Sequence, residues 1–374
     1  MPANKKHHYV PKFYLKNFSH NNLSINIYNI THNKTISQAN LKSQCYKDYL
    51  YGKDDKIEKV LGGIEGAAAE ILKSIIKEKE PPRPFTLEYV RLILFVLIQH
   101  SRTTSAVDAM NEMTDKFAKK LLSTNESFKQ EDIDKIKISV NEPGAFSIAT
   151  ATSGLHIILD LHCKTLIAKK GTEFITSDNP AILYNQLFEK LSYMSAIGLA
   201  CKGLQIFLPI SPTKLLYYYD PACYKAGDRK SSVVYITEQR DMDNLNLLQF
   251  VNASENIYFS DAQKSRISTL KSATSLRPIS KTNISTHPNW ETDTHRSELW
   301  VTSKHSSKTN MSLSCIKILD KALDFIKNLS KQESHPALFV RNPQLMKLDK
   351  EFRQSLKEGT KTKNFFEFLE SKET

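Results

Sequence analysis

Residues 7–18 read HHYVPKFYLKNF. Two imidazoles stand among aromatics and beside a proline, in a part of a chain that is usually polar and frayed. Histidine titrates near neutral pH, so a fixed one can move protons. Pro11 restricts Val10 to an extended backbone. His8 lies nearer that anchor and is the candidate acid or base; His7 is expected to face solvent. A second group lies further along. Glu58 and Glu65 are seven residues apart, two helical turns, and share a face. Gln99 and Arg102 are three apart and interrupt an otherwise apolar run. A buried arginine needs an acid, and the Glu58/Glu65 face is the candidate partner. Asp178 and Asn179 sit in Thr-Ser-Asp-Asn-Pro, a turn between two strands, where polar groups are commonly displayed. The chemistry these residues could do is phosphodiester cleavage. His8 would move the proton and Arg102 would stabilise charge growing on phosphate. Glu65 or Asp178 would orient the imidazole, or share a divalent metal if Asp178 meets Glu65 or His8 in space. The bland reading of the same residues is an ion-pair network tying the arm to the helices, with Asp178 bonding its own turn.

The elements that must position them follow from periodicity. Residues 24–36 read as a hairpin. Residues 54–80 read as one helix, with Ile57, Leu61, Ile64, Ala68, Ile71, Leu72 and Ile75 at near-helical spacing. Gly62 and Gly63 inside it each cost about 1 kcal/mol against Ala, which implies close packing there. Residues 86–122 read as a helix, apolar nearly all round from Val90 to Ile98 and therefore buried. Residues 146–170 read as helix passing into strand. His156 and Asp160 are four apart and could pair. Strand–turn–strand units follow at 173–185 and 204–220, a strand at 231–238, and a helix then strand at 241–260. Tyr217, Tyr218 and Tyr219 alternate faces in a strand and suit sheet packing. The class is α+β, a helical N-terminal half packed with a mainly antiparallel sheet. Residues 1–262 form the expected main domain. Residues 263–374 form a basic, partly irregular extension with one or two helices, one of them over 314–331.

The charge is uneven. Residues 1–60 carry ten lysines against four acids, a net +6, and residues 261–374 carry +7, while 61–260 carry −1. Basic ends attract polyanions such as nucleic acid without specifying them. The five cysteines are odd in number and lack any C-x-x-C, which argues against a disulfide framework or a cysteine zinc site. The longest apolar run, LILFVLI at 92–98, is too short to span a bilayer, and the first residues lack the apolar segment of a signal peptide. A cytoplasmic location without membrane contact is expected. Composition names no cofactor and fixes no oligomeric state.

The opening stretch resembles the signature of a bacterial family known as domain of unknown function 4238: His, Tyr-Val-Pro, then an aromatic-rich Tyr-Leu and Phe. Further segments match in order: IEKVLGGIEG with Glu58 and Glu65, QHSRT from Gln99 to Thr103, TSDNP from Thr176 to Pro180, LPISP from Leu208 to Pro212, and NLLQFVNASENIYFS. The resemblance covers about residues 5–262 and implies a bacterial, cytoplasmic context but no reaction. With the basic ends and the His/Glu/Arg/Asp set, the expected function is a nucleic-acid-acting effector, an RNA- or DNA-cleaving nuclease in a phage-defence or toxin-like setting. The alternative is a non-enzymatic binding or regulatory module in which the same residues hold the fold.

Overall fold

The computed structural model describes residues 5–53, 55–190, 197–264, 266–277, 282–288, 298–304, 309–329, 339–359 and 364–373. It opens with β1 (Lys6–His8), α1 (Lys12–Lys16), β2 (Ser24–Asn29), β3 (Lys34–Asn40) and β4 (Tyr46–Asp48). Helices α2 (Lys56–Glu78), α3 (Leu87–Ser101), α4 (Thr104–Leu122), α5 (Gln130–Lys135) and α6 (Pro143–Thr152) follow. Then come β5 (His162–Ile167), β6 (Thr176–Ser177), β7 (Ile182–Tyr184), β8 (Gln205–Ser211), β9 (Lys214–Tyr219), β10 (Tyr224–Ala226) and β11 (Val233–Tyr235). The chain continues through α7 (Gln239–Asn252), β12 (Asn256–Phe259), α8 (Ile267–Leu270), β13 (Thr282–Pro288), β14 (Glu298–Lys304) and β15 (Ile316–Ile318). It closes with α9 (Asp320–Leu329), α10 (Pro343–Lys357) and α11 (Phe365–Glu373). The fold is α+β, and the N-terminal half is itself part helix and part sheet.

A five-stranded sheet in the order β11-β5-β9-β8-β7 forms the centre, antiparallel except where β11 runs alongside β5. Strands β8 and β9 are buried at every residue, because both faces are covered. Successive side chains alternate between those faces. Ile206, Leu208, Leu216 and Tyr218 pack with the N-terminal arm, α2 and α3. Phe207, Leu215, Tyr217 and Tyr219 pack on the opposite side with Met311, Leu313, Ile316, Ala322, Leu329 and Phe339. The chain after residue 262 therefore supplies part of the second covering layer of the sheet, beside Met242, Leu245 and Leu248 of α7. The helix expected over 314–331 resolves into β15 and α9. Ile316 and Ile318 alternate with Lys317, a strand period, and pair with β10.

A second, antiparallel sheet has the order β3-β2-β12-β6. The TSDNP turn leaves β6 in this sheet and enters β7 in the other, so Asp178 and Asn179 sit where the chain crosses between sheets. Another correction concerns residues 86–122, which form two helices. Arg102 still donates its N–H to Ile98 O, but Thr103 turns extended, with φ −73° and ψ 158°, and its Oγ1 caps Ala106 N at 3.2 Å. A threonine in that geometry starts a new helix. Gly62 and Gly63 do not mark close packing: a Cβ at either would meet nothing within 4 Å. His156 and Asp160 do not pair with each other. His156 bonds Asp349 at 2.9 Å, and Asp160 takes a bidentate bond from Arg341. Among the described residues no helix is long and apolar enough to cross a membrane.

Candidate functional site

The N-terminal arm is the hinge of the site. β1 pairs antiparallel with β4, setting His7 opposite Lys47 and His8 opposite Tyr46. Alternation along the strand buries His7 and leaves His8 half-buried, the reverse of the expected exposure. His7 stacks on Tyr51, with ring centroids 5.4 Å apart, and its Nδ1 accepts the Tyr51 N–H at 3.2 Å. His8 Nδ1 lies 3.0 Å from Gln44 O. A carbonyl only accepts, so Nδ1 carries the proton and Nε2 keeps its lone pair. Burial, with Lys12 adding repulsion, lowers the His8 pKa to about 4.

Beyond His8 the chain is gripped by its backbone. Tyr9 O accepts from Gln99 Nε2 at 2.9 Å and from Arg102 Nε at 3.1 Å. Arg102 Nε also reaches Gln99 Oε1 at 3.2 Å, and Nη1 bonds Glu65 Oε1 at 2.7 Å. Arg102 is 0% exposed, so its guanidinium holds the arm and presents no face to solvent. The Glu65 side chain is 27% exposed and can hydrate its second oxygen. Burial raises the carboxyl of nearby Glu58, which His7 opposes. His7, Glu58, Glu65, Gln99 and Arg102 thus gather behind the arm, with His8 at their edge.

Tyr9 also lines a cleft of about 490 Å³. Tyr46 and Lys47 of β4, the first turn of α4, Asp178 and Asn179, and the loop after α7 wall it. Asp178 is buried. Its Oδ1 accepts Ser254 N at 2.7 Å, and its Oδ2 accepts Glu255 N at 2.7 Å and Asn256 N at 2.9 Å. Asn179 accepts from Thr103 Oγ1 at 3.2 Å and donates to Asn252 O at 2.9 Å. These bonds fix the loop between α7 and β12 against the start of α4. Asp178 makes no hydrogen bond to Glu65 or His8 among the described residues, and no three His, Cys, Asp or Glu there converge to hold a metal ion. The candidate residues therefore form two groups, with Asn179 tied to Thr103 beside Arg102. His100, Ser254 and Arg277 also line the cleft. His100 and Ser254 lie, not singled out, inside the QHSRT and NLLQFVNASENIYFS segments, and Arg277 lies in a polar, weakly patterned stretch.

Burial raises the Asp178 carboxyl to about 6, against the pull of its three amide donors. The folded state then holds this proton more tightly than the unfolded chain. Stability from this group is greatest below pH ~4, falls as pH rises to ~6, and is flat above, a loss of about 3 kcal/mol. Thermal unfolding between pH 4 and 7 is expected to show this decline in the wild type relative to Asp178→Asn. Parallel pH profiles for the two proteins would disprove it.

No curated protein and no solved structure matches the chain. One family model does, described as protein of unknown function (DUF4238), over residues 6–263. That span runs from β1 to the turn that follows β12 and contains the arm, both residue groups and both sheets' strands through β12. The chain belongs to the DUF4238 family.

Proposed function

We propose that the protein binds nucleic acid through its N-terminal face. The observation that carries this reading is a groove of about 320 Å³ walled by Lys12 and Lys16 of α1 and by Lys42. Its other lining residues are Asn22, Leu23, Asn40 and Leu41, with no acid among them. Lys12 and Lys16 are four apart and share a helix face. All three lysines are exposed, and none is ion-paired among the described residues. Clustered lysines neutralise backbone phosphates and release counterions, which gives affinity without sequence choice. The fluorescence anisotropy of a labelled oligonucleotide tests this. Binding is expected to weaken steeply with salt. Lys12→Gln/Lys16→Gln is expected to make the log–log slope shallower by about 1.4 on single strands or about 1.8 on duplex. No binding at low salt, or an unchanged slope in the variant, would overturn the reading.

Cleavage of the bound strand is the second reading, and His8 favours it. Lys12 and Lys6 both act on its charge, so it borders the same cationic face. Its Nε2 keeps the lone pair that a general base uses, while the lowered pKa makes it a weak base. Phosphate charge would fall to the lysines, since Arg102 is enclosed. Such activity would make the protein an effector of the phage-defence or toxin type. If the wild type cleaves RNA or DNA, with or without added divalent metal, His8→Ala is expected to slow it by about 10²–10⁴-fold. A folded His8→Ala protein with full activity would exclude that role and leave a binding module.

A further inference from the structure

We propose that the lysine groove takes the unpaired bases of a single strand, with the phosphates on its rim. This rests on the nucleic-acid reading above and gives it a substrate class. The groove is cationic at its edge but mostly apolar within. Leu23 O accepts the Leu41 N–H at 2.9 Å, which ties the two leucines together in its wall. Leu41 is buried, whereas Leu23 is 65% exposed. A lone exposed leucine is ordinary, but this one shares a groove with Lys12, Lys16 and Lys42. A lysine lays its methylene stem on apolar surface and keeps its ammonium in water. Such a groove offers an apolar bed for a flat ring and a rim for an anion. Its volume of about 320 Å³ lies at the lower end of the ~300–1,000 Å³ usual for small-ligand sites.

An aromatic ring continues the path. Lys12 stands four residues after His8, and His8 pairs across the strands with Tyr46, with ring centroids 5.8 Å apart. Tyr46 is half-buried, and Lys6 Nζ lies 4.6 Å from its ring centre. Single-strand sites combine a ring on which a base stacks with cations that follow the backbone. Lys12, Tyr46 and Lys6 supply that combination beside the groove. A duplex turns its bases inward and shows the groove only phosphates. It also carries about twice the charge per unit length of one strand, so lysines alone would prefer it. The apolar wall and the tyrosine reverse that order.

Fluorescence anisotropy with the full chain at low salt tests the inference, using a labelled single strand, its duplex, and the same strand with abasic sugars. The intact single strand is expected to bind about tenfold or more tighter than either of the others. Tyr46→Ala is expected to weaken single-strand binding by about tenfold, and Leu23→Ser by less. Both variants are expected to keep the wild-type salt slope, because neither removes a phosphate contact. Leu23 is exposed, so its variant is expected to melt where the wild type does. Equal binding of the duplex or of the abasic strand would overturn the inference while leaving the lysine contacts standing. Unchanged single-strand binding by both variants would overturn it in the same way. If none of the three oligonucleotides binds, the nucleic-acid reading falls with it.

Discussion

Removing residues 1–18 is expected to leave a chain without fixed tertiary structure. Tyr9, Val10, Tyr14, Leu15 and Phe18 are buried in the cluster that covers one face of the central sheet. Each contributes about 1.5–3 kcal/mol by burial, so the five together rival the roughly 5–15 kcal/mol that holds a domain folded. The arm also makes bonds that nothing else replaces. The Tyr14 hydroxyl bonds Thr176 Oγ1 at 2.8 Å and donates to Pro209 O, joining α1 to both sheets. Near-ultraviolet circular dichroism and dye binding should report a molten or aggregated product. Tyr14→Phe gives the graded version, with an expected loss of about 1–3 kcal/mol from acceptors left unmet. A truncated protein that melts where the full chain does would show that the arm is dispensable.

Glu65→Gln carries the next largest expected effect, about 3–5 kcal/mol in denaturant unfolding, because it strands the buried Arg102 charge. Arg102→Met should cost less. Glu65 can then turn to water, and Tyr9 O keeps its bond from Gln99. The double variant is expected to be more stable than the sum of the single losses predicts, since it removes both charges. Strictly additive losses would mean that the two side chains do not stabilise each other.

Much of this architecture is legible in local pattern. The period of α2, the hairpin of β2 and β3, and the apolar runs of β8 and β9 record which faces are covered. The apolar arm likewise shows its burial, and Arg102 in an apolar helix demands an acid. The break between α3 and α4 is less visible, because Thr103 reads as a mid-helix residue until its Oγ is seen to cap. β15 is hidden because three residues form a strand only through β10, about ninety positions earlier. The cleft is the least legible part. Its wall joins β4, the start of α4 and the loop after α7, segments far apart in the chain that only the fold brings together. His8, Arg102 and Asp178 are recognisable as special residues, but their spacing does not reveal that Arg102 is spent on the arm and Asp178 on the loop after α7.

The grip on that arm has a consequence for how the protein is made. Tyr14 bonds Pro209, 195 positions later, and Cys45 bonds Tyr258, 213 positions later. At about 5–20 residues per second of synthesis, the ribosome delivers those partners roughly 10–40 seconds after the arm has emerged. Throughout that interval the aromatics of YVPKFYLKNF have no sheet to cover. Final burial of the arm therefore waits on β8 and β12, which are made long after it.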